Sequence, residues 1–279
     1  MSIPFTTVGQ GGPALFFLHA NGYPSECYRP LLEMLALDFR LICMLQRPLW
    51  KGSNPMDLNT WHPLSDDFIQ FLDERNAGQV TAVGHSLGGV VALRAAIRQP
   101  ERFKALVLID PVLLPPMLIF AWQILRILGL SDRAHPSIQA ARHRRTRFKD
   151  LDRVFRSYRQ KPVFKFMTDQ SLKACIKGMT CRDGDSYELC YPADWELQIY
   201  RASIWKDMDI WRCLPGLNVP LLLIRGAETN TFRSAAVRKI LSAIPTAQYS
   251  NIPNSSHLVP LERPDQVSQA VKDFLQEFR

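Results

Sequence analysis

Short apolar runs bounded by turn residues alternate with stretches whose apolar positions recur every three to four residues, and this alternation occupies both ends of the chain. A run that is apolar at every position suits a strand buried on both faces, whereas the three-to-four spacing suits a helix with one buried side. Residues 14–18, 39–45, 80–83, 105–109 and 221–224 read as such strands. Residues 27–37, 63–75, 87–98, 234–243 and 264–278 read as helices. An earlier piece, residues 3–8, precedes Gly9-Gln10-Gly11-Gly12 and predicts an antiparallel hairpin with the 14–18 strand. Strands alternating with helices imply an α/β fold, a mostly parallel central sheet flanked by helices.

The alternation stops between about Pro111 and Pro215, where helical periodicity appears in places without a strand pattern. Residues 1–111 and 215–279 therefore read as one core and residues 112–214 as a helical cap inserted between two of its strands. So long a segment must cover or bind something. Ligands of open α/β sheets sit beyond the carboxyl ends of the strands, and a cap leaving from there would roof that site.

Composition sharpens this division. The chain has 279 residues, 47% of them hydrophobic, enough for a large core, and its 14 glycines and 20 prolines follow no repeat. Its net charge of +8 is unevenly placed: residues 112–214 hold 18 Lys/Arg against 11 Asp/Glu, whereas the remainder holds 16 against 15. The basic character belongs to the cap, most densely at Arg142-His143-Arg144-Arg145-Thr146-Arg147-Phe148-Lys149. Confinement to one insertion argues against nucleic-acid binding. The run reads as a solvated face, with an anionic head group, a CoA-type phosphate or weak contact with a membrane surface as the alternatives.

Six scattered cysteines form no C-x-x-C pair and no zinc spacing, so they are expected to be free thiols in a reducing compartment. The first residues lack the basic start and apolar run of a signal peptide, which makes a cytoplasmic location the expectation. The most apolar stretch, residues 113–130, is interrupted by Pro115-Pro116, Gln123 and Arg126 and is a poor membrane span. No phosphate-binding loop, dinucleotide fingerprint or metal cluster competes with the chemistry below, and no cofactor is expected.

Val83-Gly84-His85-Ser86-Leu87-Gly88-Gly89 follows one predicted strand and opens a predicted helix. A G-x-S-x-G sequence in that setting is a nucleophile elbow, a tight turn that lifts the serine hydroxyl out of the sheet. Ser86 is thus the predicted nucleophile, and a serine needs a general base. His257, in the polar loop Asn254-Ser255-Ser256-His257 before the last helix, is the best placed of the six histidines. His19 lies in the first loop, His62 begins a helix, His85 adjoins the nucleophile, and His135 and His143 lie in the cap.

With these motifs the chain resembles an α/β-hydrolase-fold enzyme with a helical cap, over almost its whole length. The resemblance implies an acid in the turn after the strand preceding the histidine. That turn is Arg225-Gly226-Ala227-Glu228-Thr229-Asn230-Thr231-Phe232, with Asn230 where an aspartate is expected. An asparagine there would lower turnover by about 10⁴-fold unless another carboxylate served. Asp110 ends the strand after the nucleophile strand, 24 residues past Ser86, a spacing similar to that of some haloalkane dehalogenases. Asp110 is taken as the acid, with Glu228 or no functional acid as the alternatives.

The resemblance further implies an oxyanion hole formed by the Leu87 amide and a second amide from Leu18-His19-Ala20-Asn21-Gly22-Tyr23-Pro24, with Asn21 preferred and Tyr23 the alternative. His19 is read as shaping that loop and Arg47 as a structural anchor. A serine at the nucleophile position disfavours the aspartate-dependent dehalogenase and epoxide hydrolase branches. The expected activity is hydrolysis of an ester, thioester or related acyl bond on a small apolar or aromatic substrate. A non-catalytic binding protein, and a serine-dependent C–C hydrolase or peroxidase-like enzyme, are the alternatives.

Overall fold

The computed structural model describes residues 2–203 and 205–278. Its first half runs β1 (Phe5–Val8), β2 (Ala14–Leu18), α1 (Arg29–Leu35), β3 (Arg40–Met44), α2 (His62–Glu74), β4 (Val80–His85), α3 (Leu87–Arg98) and β5 (Phe103–Ile109). The insertion follows with α4 (Pro116–Ile127), α5 (Ser131–Ala134), α6 (Pro136–Arg142), β6 (Arg147–Phe148) and α7 (Leu151–Arg159). It continues through α8 (Asp169–Met179), β7 (Thr180–Asp183), β8 (Ser186–Leu189), α9 (Ala193–Arg201) and α10 (Met208–Cys213). The chain then completes the sheet with β9 (Leu221–Gly226), α11 (Ser234–Ala243), β10 (Gln248–Ile252), α12 (Val259–Glu262) and α13 (Pro264–Gln276).

Seven strands form one sheet in the order β1-β3-β2-β4-β5-β9-β10. All neighbours are parallel except β1, which is antiparallel to β3. Successive residues point to opposite faces and both faces are apolar. Phe16 and Leu18 pack with Phe68 of α2 and Val90 of α3, while Leu15 and Phe17 pack with Leu31 of α1 and Val271 of α13. Burying each such side chain fully is worth roughly 1.5–3 kcal/mol, which is why continuous apolar runs end up as central strands.

Two edge features differ from the sequence expectation. The hairpin between residues 3–8 and 14–18 does not form, because both edges of β2 are taken by β3 and β4. β1 instead pairs with β3, Phe5 opposite Met44 and Val8 opposite Leu41. β10 has the polar sequence Gln248-Tyr249-Ser250-Asn251 and no apolar signal, which an edge strand does not need.

β5 and β9 are direct neighbours, Leu106 opposite Leu221 and Ile109 opposite Ile224, so the insertion leaves and returns between adjacent strands. It also holds an antiparallel sheet, β6-β8-β7, whose strands of two to four residues are too short for an alternation to be read. The turn between β7 and β8 brings Cys181 and Cys190 together, with Cα atoms 5.3 Å apart, and they form a disulfide. The expectation of free thiols throughout is corrected there; Cys27, Cys43, Cys175 and Cys213 are free.

The insertion does more than roof the sheet. Ile119, Trp195 and Ile199 join the core on one face, and Val154, Leu172 and Ile176 join it on the other. At Gly178 of α8 a Cβ would lie 2.4 Å from the Cys27 amide nitrogen, so helix and core backbone are in direct contact there. Among the described residues no helix is long and apolar enough to cross a membrane.

Candidate active site

β4 and β5 end side by side, with His85 opposite Ile109, so the next residues of each, Ser86 and Asp110, occupy neighbouring strand ends. Both have left-handed backbone, φ 56° at Ser86 and 41° at Asp110. Each such position costs on the order of 1–3 kcal/mol for a non-glycine residue and persists only where surrounding structure enforces it. Here the Ser86 amide donates to Ile109 O at 3.0 Å and the Asp110 amide to Ile224 O at 2.7 Å. The turn is also close-packed: a Cβ at Gly84 would meet Gly88 O at 2.3 Å, and one at Gly88 would meet Leu18 O at 2.2 Å. Glycines flank Ser86 because backbone fills the space where side chains would go.

The His257 ring lies between the two strand ends. Its Nε2 is 2.9 Å from Ser86 Oγ and its Nδ1 2.7 Å from Asp110 Oδ1. A neutral imidazole satisfies both contacts when Nδ1–H donates to the carboxylate and Nε2 accepts from the hydroxyl. Asp110 is fully buried. Its remaining bonds come from the Gly226 amide to Oδ2 at 3.0 Å and from Thr229 Oγ to Oδ1 at 2.8 Å. A buried carboxylate held by three donors is fixed in place as an acceptor.

Asn230 and Glu228 stand elsewhere. Asn230 lines the cleft above Ser86, while Glu228 is half-exposed and ion-paired with Lys165 of the insertion at 2.9 Å. The loop that resemblance assigns to the acid therefore contributes a hydroxyl, Thr229, in support of a carboxylate from β5.

A second buried chain of hydrogen bonds ties the loops together. The Ala20 amide donates to Tyr28 Oη at 3.1 Å, and Tyr28 Oη lies 2.7 Å from His85 Nδ1. His85 Nε2 lies 2.8 Å from the carbonyl oxygen of His257. Neutral His85 fits as acceptor at Nδ1 and donor at Nε2, and burial holds its pKa well below the usual histidine value. His19, equally buried, bonds Ala20 O at 2.9 Å and accepts the Gln46 amide at 3.2 Å. Burial pushes its pKa down to about 4, consistent with a histidine that shapes the loop. Arg47 is an anchor, forked onto Asp67 at 2.8 and 2.6 Å.

Leu87 and Asn21 both border the cleft. Leu87 is the first residue of α3, where an amide has no partner within the helix. The side chain of Asn21 is clamped by the insertion: Tyr191 Oη donates to its Oδ1 at 2.9 Å and its Nδ2 donates to Glu196 O at 3.1 Å.

The cleft has a volume of about 540 Å³ and runs from Ser86 between Trp61, Leu118, Trp122 and Leu125. Leu118, Ala121, Trp122 and Leu125 form one side of α4; on the other side Met117, Phe120 and Ile127 are exposed. The apolar stretch of residues 113–130 thus divides between a cleft wall and an open face. His135 also enters the wall, its ring against those of Trp122 and Tyr200.

The sequence singled out Ser86, His257 and Asp110, and the fold brings them within hydrogen-bond distance. It did not point to Thr229, Tyr28 or the supporting part of His85. Nor did it point to Glu262, which accepts from the Ser256 amide and hydroxyl beside His257. Thr229, Tyr28 and His85 have partners far along the chain, and Glu262 reaches back six residues to a loop that no motif assigns to it.

A family profile described as the Alpha/beta hydrolase family matches residues 15–270, and the chain belongs to that family. It is 23% identical over 271 residues to the uncharacterized hydrolase YugF of Bacillus subtilis, covering 95% of this chain and 90% of that protein. It is 24% identical over 285 residues to a probable alcohol acetyltransferase of Cyberlindnera fabianii, covering 95% and 72%. Among solved structures, E-2-(acetamidomethylene)succinate hydrolase superposes with a TM-score of 0.77 at 18% identity, covering 98% of this chain and 96% of that one. The thioesterase domain from the curacin biosynthetic pathway superposes with a TM-score of 0.70 at 14% identity, covering 98% and 99%.

Proposed function

We propose that the protein is a serine hydrolase that cleaves an ester, thioester or related acyl bond through an acyl-enzyme, with residues 112–214 acting as the cap over its site. The observation carrying this reading is the continuous Oγ···Nε2 and Nδ1···Oδ1 pair of contacts, 2.9 and 2.7 Å, through His257. As Ser86 Oγ attacks the carbonyl carbon, its proton passes to His257 Nε2, and the Asp110 carboxylate stabilises the imidazolium that forms. The carbonyl oxygen becomes an oxyanion held by the Leu87 and Asn21 amides. Collapse expels the leaving group, which takes the proton from His257. Water, deprotonated by the same nitrogen, then releases the acid and restores Ser86.

The apolar cleft suits an acyl chain or aromatic group. The similarity to both a hydrolase and an acetyltransferase fits an acyl-enzyme that either water or an alcohol can open. The alternative of a non-catalytic binder rests on Asn230 and the basic cap, and the 2.7 Å contact between Asp110 and His257 speaks against the first of these grounds. A fluorophosphonate probe tests the assignment. Wild type is expected to gain one covalent adduct on Ser86 by intact mass, and Ser86→Ala none; equal labelling of both contradicts the reading.

A further inference from the structure

Beside the cleft lies a larger hollow of about 1160 Å³, walled by α6, α7 and the segment joining them. The two spaces share Tyr23, Ser137 and Tyr200 as common lining, so they adjoin directly. The hollow has a buried floor, including Val154, Tyr158 and Phe164, and a rim in which seven Arg/Lys face two acids, Asp150 and Glu196.

Partners account for only part of that charge. Arg144 is neutralised by Glu196 at 2.6 Å, and Arg147 is drawn to Asp183 at 2.9 Å. Arg156 makes a loose contact with Asp150 at 3.9 Å. Among the described residues Arg145, Lys149, Arg153 and Lys161 have no carboxylate partner. Burial, and then the like charge of Arg144, push the Lys161 ammonium below its usual range. The hollow also borders the predicted oxyanion loop: a Cβ at Gly22, next to Asn21, would lie 3.4 Å from Arg144 Nη1.

A solvated basic face spreads over a convex surface, whereas this one converges on a concavity bordering an apolar cleft at the predicted oxyanion loop. We infer that the hollow is a subsite for a phosphate-bearing leaving group, so that the molecule cleaved at Ser86 carries its acyl part in the apolar cleft and phosphate among Arg145, Lys149, Arg153 and Lys161. This rests on the hydrolase reading of Ser86 and adds the class of substrate. Phosphate matches the site because it presents several acceptor oxygens and retains its charge at neutral pH. An acyl thioester on a phosphopantetheine arm and a fatty ester of glycerol phosphate share that chemistry.

Two pairs of substrates differing only in phosphate separate these sources: octanoyl-phosphopantetheine against octanoyl-pantetheine, and 1-octanoyl-glycerol 3-phosphate against 1-octanoylglycerol. At low salt the wild type is expected to show at least a tenfold higher kcat/KM for the phosphorylated member of one or both pairs. That preference should fall to threefold or less in the double reversal Lys149→Glu/Arg153→Glu, at exposed positions where folding is not at stake. Preference within the thioester pair alone identifies the phosphopantetheine arm, and within the oxyester pair alone the lipid head group. Equal kcat/KM in both pairs, or a preference that survives the double reversal, overturns the subsite while leaving Ser86-dependent turnover intact. If no substrate is turned over, binding to Ser86→Ala decides: octanoyl-phosphopantetheine binding at least tenfold tighter than octanoyl-pantetheine supports the subsite, and equal binding removes it.

Discussion

The core and the insertion treat charge in opposite ways. In the core, the charged and polar groups at the site are few and saturated: Asp110 takes three donors, His257 has a partner at each nitrogen, and His85 and His19 are bonded at both ring nitrogens. In the insertion, cations outnumber acids around a hollow and, among the described residues, four of them have no carboxylate partner. A saturated network is rigid and suits bond making at fixed distances. Unmatched charge beside an open space suits recognition, since its counter-charge must come from outside. On the proposed reading, reactivity belongs to the strand ends and selectivity to the insertion.

The largest test of that contrast removes the reacting groups. Ser86→Ala and His257→Ala should each lower ester turnover by about 10⁶-fold, and the double variant should lose no more, because groups acting as one unit are not additive. Steady-state kinetics of the three proteins checks this. A double variant much worse than either single one would show that the two residues act separately.

Stability gives the next test. His19 is buried with its pKa lowered from 6.5 to about 4, and burial holds His85 well below the usual histidine value, so the unfolded chain binds protons that the folded one refuses. Stability is then fully present above about pH 6.5 and is lost as pH falls. His19 alone accounts for roughly 3 kcal/mol by pH 4. Urea unfolding at pH 7.5, 6 and 4.5 should show a falling midpoint, flattened in His19→Gln. A midpoint independent of pH would contradict the buried neutral pair.

The seam between the two regions is a smaller target. Gly178→Val places side-chain atoms against the backbone around Cys27, where even a Cβ would lie 2.4 Å from the amide nitrogen. It should destabilise the protein by about 2 kcal/mol in urea unfolding. No loss would mean that α8 does not bear on the core. Smallest is Tyr28→Phe, which breaks the bond to His85 and leaves the Ala20 amide without its acceptor. We expect about a fivefold drop in kcat with KM little changed, since one net hydrogen bond is worth about 1 kcal/mol. A larger KM effect would point to a binding role for that loop.

The fold was legible where physics acts locally. Central strands are mostly apolar and the turn at Ser86 needs glycines on both sides, so β2, β4, β5, β9 and that turn could be read directly. The edges could not: β10 is polar, and the partner of β1 depends on which edges β2 has left open. Thr229 and Tyr28 act on residues more than fifty positions away, and the Cys181–Cys190 bridge depends on a hairpin too short to show a pattern. Asp110 became readable only because its strand follows the nucleophile strand in both sequence and sheet.

The central claim is that β5, and not the loop after β9, supplies the acid. Turnover of one p-nitrophenyl ester by Asp110→Asn and by Glu228→Gln tests it most directly. The account predicts a loss of about 10⁴-fold for Asp110→Asn and a rate within about twofold of wild type for Glu228→Gln, a half-exposed residue paired with Lys165. A large loss in Glu228→Gln with Asp110→Asn still active would contradict it.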